Sequence, residues 1–294
     1  MARLGWLLPV LGVIFWTRTA SACASCAAGD PAITASGSER PFESRKRISL
    51  DLRATHARAA DVDVSEERLE LRADFAVTPS ILMTAALPLL ARSIRNRDGA
   101  SSREIRLGDA ELRASSIVAD TGFSSVRRML LVFGGSKFPT APLQTDARGA
   151  PLPVALQPGC GSLVPILGAS FVLTSSPLTF VASTSIYLPF SAREGPHAGD
   201  SWRTSLTLQF QPARSTIGTR FGISSRVDQP GTIADGESVD PNSGGLVGYA
   251  SGEVLMTPVT DVVLSTGFFA PAIQVLRGSE RESTIALVTA SYDF

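Results

Sequence analysis

The chain has 294 residues, a formal net charge of zero and 18% charged residues, below the roughly 25% usual for a soluble domain. With no basic excess there is nothing to hold a polyanion, so no nucleic-acid partner is expected. Hydrophobic residues reach 44%, yet beyond the N-terminus no apolar run could form a membrane helix. The longest, Ile81–Ala91, is about half the required length and contains Thr84 and Pro88.

Residues 1–22 have the layout of a secretory signal peptide. Arg3 supplies positive charge, Leu4–Trp16 is a short apolar stretch, and Ala20-Ser21-Ala22 gives the small-x-small cleavage pattern. Residues 23–45 form a segment without helical or strand period, expected as a periplasmic tether or a plug in the lumen. This segment opens with Cys23-Ala24-Ser25-Cys26. Haem attachment would need His after the second Cys, where Ala27 stands. A closed zinc site would need four ligands, and a thioredoxin-type motif a βαβ context. A local disulfide, lipid attachment at Cys23 and transient metal capture by Cys23 and Cys26 stay open.

From residue 46 onward the period is two. In Arg47–Ala54, Ile48, Leu50, Leu52 and Ala54 alternate with Arg47, Ser49, Asp51 and Arg53. In Arg68–Val77, Leu69, Leu71, Ala73, Phe75 and Val77 alternate with Arg68, Glu70, Arg72 and Asp74. Successive side chains of a strand point to opposite faces, so one face is apolar and the other carries charge of both signs. The pattern recurs at Asp109–Ser116, Leu178–Phe190, Ser201–Phe210 and Ile217–Ser224. Three stretches, Met129–Phe138, Leu167–Thr174 and Val262–Ala270, read as strands from β-branched and aromatic content, with poorer alternation.

The connections alternate short and long. Short ones fall near Thr78-Pro79-Ser80, Thr121–Ser125, Ser175-Ser176-Pro177, Gln211–Ser215 and Thr257–Thr260. Long ones fall near His56–Glu66, Ser93–Arg106, Pro139–Val164, Ser191–Asp200, Asp228–Gly245 and Gln274–Ser283. Tight periplasmic turns opposite long outer loops are the layout of a transmembrane barrel, and a soluble sandwich has no cause to keep it. The expected fold is therefore all-β: a transmembrane antiparallel up-and-down barrel of about twelve strands over 46–294, located in the outer membrane.

An Arg facing lipid near the midplane costs about 2–4 kcal/mol, so the charged parity is assigned to the lumen. The expected lining is Arg47, Asp51, Arg53, Arg68, Glu70, Arg72, Asp74, Asp109, Glu111, Arg113, Arg203 and Arg220. These charges could pair into a salt-bridged filling or frame a small aqueous pore. The last strand, Thr284–Phe294, places Ala286, Val288, Ala290, Tyr292 and Phe294 on one face. Tyr292 and Phe294 suit the interfacial girdle. A terminal Phe behind alternate apolar residues resembles the C-terminal signal read by the barrel assembly machinery of bacterial outer membranes.

Little points to catalysis or cofactors. His56 and His197, the two histidines, fall at outer-rim positions where solvated loop histidines are common, and neither sits in a His-x-Ser stretch. Asp228, Asp235, Glu237 and Asp240 match no calcium motif and read as a solvated acidic loop. Cys160 lies in the longest outer loop, across the membrane from Cys23 and Cys26.

Gly134-Gly135-Ser136-Lys137-Phe138-Pro139-Thr140 resembles the Gly-x-Lys-x-Pro-Thr stretch of the MetA-type phenol-degradation pathway transporters, a family of outer-membrane barrels. The signal peptide, amphipathic strands and terminal Phe294 are similar too. The pattern does not include Cys23–Pro31. The resemblance implies a transporter-like barrel for small molecules, apolar ones among them. The expectation is an outer-membrane channel or transporter for a small-molecule solute, embedded in outer-membrane lipid, without a cofactor. A hydrolase acting at the barrel rim and a structural or adhesive barrel are the alternatives.

Overall fold

A computed structural model describes residues 46–294 apart from 60–61, 96–100, 124, 146–148, 150, 153–155, 192–195, 213–214, 234–237 and 279–280. Residues 1–22, expected as a signal peptide, and the segment 23–45, with Cys23 and Cys26, lie outside the described residues.

The wall begins with β1 (Lys46–Ala59), β2 (Val62–Thr78) and β3 (Ile81–Arg95). It continues through β4 (Ser101–Leu107) and β5 (Ala110–Phe123), which share one wall position because both pair with β3. Then come β6 (Val126–Phe138), β7 (Ser162–Ser175), β8 (Leu178–Tyr187) and the two-residue β9 (Phe190–Ser191). The rest is β10 (Ser201–Phe210), β11 (Ile217–Asp228), β12 (Gly245–Val259), β13 (Val262–Leu276), the short β14 (Arg281–Glu282) and β15 (Ile285–Asp293). Each pairs antiparallel with its neighbours, and β1 pairs with both β2 and β15. The sheet thus closes into an antiparallel barrel of twelve strands with no helix among the described residues. Closure satisfies every wall strand on both edges, which a span through hydrocarbon requires.

The outer face is apolar. Leu50 and Leu52 of β1, Leu71 and Phe75 of β2, Leu206 and Leu208 of β10 and Val288 and Tyr292 of β15 are all exposed. A soluble protein rarely leaves so large a contiguous apolar belt uncovered, and lipid is the solvent that suits it. The chain is an outer-membrane barrel. Phe294 ends the belt, its ring stacked on Tyr292 with centroids 6.1 Å apart.

The core is the lumen, and it holds two chemistries. Toward the end with the short turns, Met129, Leu131, Val172 and Val181 pack inward from β6, β7 and β8. Higher up, Phe133, Val164, Ile166 and Tyr187 meet Cys160 of the β6–β7 loop. Val247, Tyr249, Phe269 and Leu287, from β12, β13 and β15, form a third apolar group. The remaining inward positions are polar and charged. This explains the poor alternation of Met129–Phe138 and Leu167–Thr174: those strands are apolar inside as well as outside.

Two outer connections are shorter than the sequence suggests. Pairing runs to Ala59↔Val62 between β1 and β2, and to Arg95↔Ser101 between β3 and β4. Much of His56–Glu66 and Ser93–Arg106 is therefore strand. Burial still alternates there, with Val64 and Glu66 buried and Ser65 and Glu67 exposed, but the outward residues are polar, so hydrophobic alternation ends while backbone pairing goes on.

Candidate functional site in the lumen

All twelve residues expected to line the lumen are buried or half-buried. At the closing seam, Arg47 of β1 donates to Asp293 through Nε and Nη2, both at 2.6 Å. The next inward pairs are Ser49 with Ser291 at 2.9 Å and Thr289 donating to Asp51 at 2.6 Å. Each is a directly opposed pair of the β1–β15 register.

Glu70 is the hub of the adjacent network. It accepts from Arg68 at 2.8 Å and from Arg72 at 2.7 Å, and Arg72 also lies 3.2 Å from Asp51. Two residues apart on a strand is one inward step, so alternate charged positions of β2 can pair along the wall. Asp74 accepts from Thr84 of β3 at 2.6 Å. Arg53 belongs to the same patch but differs: none of its three guanidinium nitrogens has a hydrogen-bond partner among the described residues.

The network rises toward the outer loops through Glu66 and Arg92. Arg92 donates from Nε to Glu66 at 2.6 Å and from Nη1 to the Gln157 carbonyl at 2.6 Å. Asp109 holds the same loop, accepting from the Cys160 and Ala141 amides at 2.6 and 3.2 Å. Gln157 braces the loop from within, bonding the Gln144 amide and the Gln144 and Leu152 carbonyls. The β6–β7 connection is thereby tied to the inner wall.

On β5 and β6, Glu111 pairs with Arg113 and sits 3.8 Å from the Lys137 amine. Lys137 and Arg203 both lie over the Tyr187 ring, at 5.4 and 3.9 Å from its centroid. Cation–π contact of this kind is strongest where water is excluded, and Arg203 is 2% exposed. Farther round, Arg220 meets Glu253 and Gln209, both at 2.8 Å. Arg226 pairs with Asp228 at 2.6 Å and with Glu282, which also takes the Tyr249 hydroxyl.

The expected lining omits Glu66, Arg92, Lys137, Arg226, Asp228, Glu253 and Glu282. Glu66 and Glu282 fall in stretches that the sequence reads as loop, where parity gives no direction. Arg226 and Asp228 are within reach of the pattern, because both keep the even spacing from Arg220 that defines the inward face. Asp228 therefore departs from the solvated acidic loop expected of it. Asp240 is buried as well, and its Oδ1 accepts from the Asn242 amide at 2.9 Å.

The stretch Gly134–Thr140 has a structural account. Gly135 is pressed on β5, where an added Cβ would sit 2.2 Å from the Leu112 carbonyl oxygen. Lys137 reaches Glu111 and Tyr187. The Thr140 hydroxyl donates to the Gly108 carbonyl at 2.9 Å and accepts from the Ala110 amide at 2.8 Å, bridging the gap between β4 and β5.

Of the remaining candidates, the histidines stay apart from the ion pairs described above, whereas Cys160 is joined to Asp109. The His56 ring Nδ1 is 3.1 Å from the Ser65 hydroxyl, on an exposed part of the wall. The His197 carbonyl accepts from the Thr232 amide at 2.9 Å, joining two outer loops. Asp235 and Glu237 lie outside the described residues, and the described residues contain no metal-binding cluster of three or more ligand side chains. Cys160 is buried, and its amide donates to Asp109 at 2.6 Å.

The geometry defines a class: a closed outer-membrane β-barrel that buries ion pairs and apolar side chains. No protein-family model matches the chain. The curated proteins give no match either. Among solved structures, the chain is similar to an outer membrane channel from Pseudomonas putida F1. The identity is 11%, over 85% of this chain and 96% of that one, with a TM-score of 0.68. It is also similar to the translocator domain of the autotransporter NalP from Neisseria meningitidis, with 9% identity, 92% and 97% coverage and a TM-score of 0.52. At such identities the likeness is one of fold.

Proposed function

We propose that this protein is an outer-membrane channel or transporter for small molecules, with the inner charges and the β6–β7 loop as its gate. One observation carries this: the charged lining is tied to an outer loop. Arg92 bonds Glu66 on the wall and Gln157 in the loop, so a change in one bears on the other. Inward side chains exposed by only a few per cent, for example Asp51 at 1% and Arg53 at 3%, support a closed resting state. Passage would follow when loop and ion pairs part. The barrel fold shared with the Pseudomonas putida channel and the resemblance of Gly134–Thr140 to the phenol-degradation transporters support the same reading. Outer-membrane lipid against the belt and the assembly machinery acting on Tyr292 and Phe294 are the partners it implies.

The test is conductance in planar bilayers. Wild type should show brief, small openings, and Arg92→Met, which frees the loop, should show longer or larger ones. Silence in both proteins overturns the proposal.

The His56–Ser65 contact favours a second function, ester hydrolysis at the rim, because a base within hydrogen-bond reach of a hydroxyl is the start of a nucleophilic site. Release of fatty acid from phospholipid, abolished in both His56→Ala and Ser65→Ala, would support it; equal rates in all three proteins would dismiss it.

A further inference from the structure

The buried guanidiniums of the barrel are matched to partners. Arg47, Arg68, Arg72, Arg92, Arg113, Arg220 and Arg226 each meet a carboxylate of the protein. Arg203 lies over the Tyr187 ring and donates to the Ser201 hydroxyl at 3.2 Å. Arg53 has neither kind of partner. It is 3% exposed, and its Nε, Nη1 and Nη2 are all buried without a hydrogen-bond partner among the described residues.

The acids close enough to act on it electrostatically, Glu70 and Asp51, are already engaged. Glu70 accepts from Arg68 and Arg72, while Asp51 accepts from Thr289 and pairs with Arg72. Around Arg53, three guanidiniums therefore face two carboxylates. The β1–β2 register also sets Arg53 directly opposite Arg68, and like charges in that position repel. A buried charge without a counter-charge is strongly unfavourable, and a fold that keeps one supplies it with a partner.

We propose that Arg53 is the centre of a binding site in the lumen for a small oxyanion, a carboxylate or a phosphate. The guanidinium fork presents parallel N–H donors that match two oxygens of such a group. Arg68 opposite adds positive charge on the second side. This deepens the channel proposal and rests on it for its purpose, since the site lies on the lining that a solute would pass.

The experiment measures binding rather than conduction. The full-length barrel in detergent is heated in chloride, acetate or inorganic phosphate at matched ionic strength, and unfolding is followed by heat-modified gel mobility. Wild type should gain several degrees in acetate or in phosphate over chloride, and the anion that acts identifies the ligand class. Phosphate also stabilises proteins without binding, so the comparison with Arg53→Gln decides. That variant should gain nothing specific, and in chloride alone it should melt no lower than wild type, because an amide removes a lone buried charge. Equal gains in both proteins, no gain in wild type, or a large loss for Arg53→Gln in chloride would each overturn the site. Anomalous diffraction from wild-type crystals soaked in arsenate and in the unreactive 4-bromobenzoate needs no variant: arsenic or bromine beside Arg53 supports the site, and signal only elsewhere in both soaks overturns it. A barrel that binds acetate but never conducts keeps the site and loses the channel; one that conducts without an anion effect does the reverse.

Discussion

Arg47 and Asp293 are 246 positions apart in sequence and joined at two points, Nε to Oδ1 and Nη2 to Oδ2, each at 2.6 Å. They lie where the first strand begins and the last one ends, and the Phe294 amide donates to the Lys46 carbonyl beside them at 2.9 Å. The barrel is closed here by a side-chain fastening as well as a backbone ladder. Arg47→Ala should lower stability by about 1–3 kcal/mol, short of the full cost of a broken buried pair because Asp293 keeps some contact with water. Urea unfolding of the barrel in micelles measures this. The exchanged variant Arg47→Asp with Asp293→Arg should recover part of the loss.

The Arg92 tether makes a separate prediction about the loop. Arg92→Met leaves Glu66 buried without its cation and the Gln157 carbonyl without its donor. Breaking a buried pair costs about 3–5 kcal/mol. Limited proteolysis should then cut within 139–161 faster than in wild type, while the transmembrane fragments stay intact. Unchanged cleavage would mean that Asp109 and Thr140 hold the loop without Arg92.

Gly135 tests the short motif near the outer end of β6. An added Cβ would come 2.7 Å from the Arg113 Cα as well as close to the Leu112 carbonyl, and backbone cannot swing aside as a side chain can. Gly135→Ala should cost about 1–3 kcal/mol. Gly122 has open space at the same point, so Gly122→Ala is the matched control and should be nearly silent in the same unfolding assay.

The lipid face makes a prediction about assembly. Leu50 faces outward between the inward Ser49 and Asp51. Leu50→Arg should cost about 2–4 kcal/mol and lower the folded fraction in lipid vesicles. Removal of Phe294 should reduce the yield of heat-modifiable barrel in the outer membrane of cells more than it reduces refolding in detergent. Equal losses in both would argue against a signal read during assembly.

Alternation within the strands, together with the alternation of short and long connections, was enough to read the fold. A closed antiparallel barrel in lipid must show one face to hydrocarbon and the other to its own interior, and Arg47–Ala54 and Arg68–Val77 record that demand residue by residue. Arg53, Glu70, Glu111 and Arg220, on the charged parity, are buried. What alternation could not carry was partnership. Asp293 meets Arg47, and Glu282 meets Arg226, because closure and strand register bring distant segments to one level. Nor could it show that β6 and β7 are apolar on both faces, or that Gln157 returns from an outer loop to Arg92. The face of a strand is a local property with period two; which charge is hydrogen-bonded to an opposite, and which, like Arg53, has no such partner among the described residues, depends on distances set only when the ring has closed.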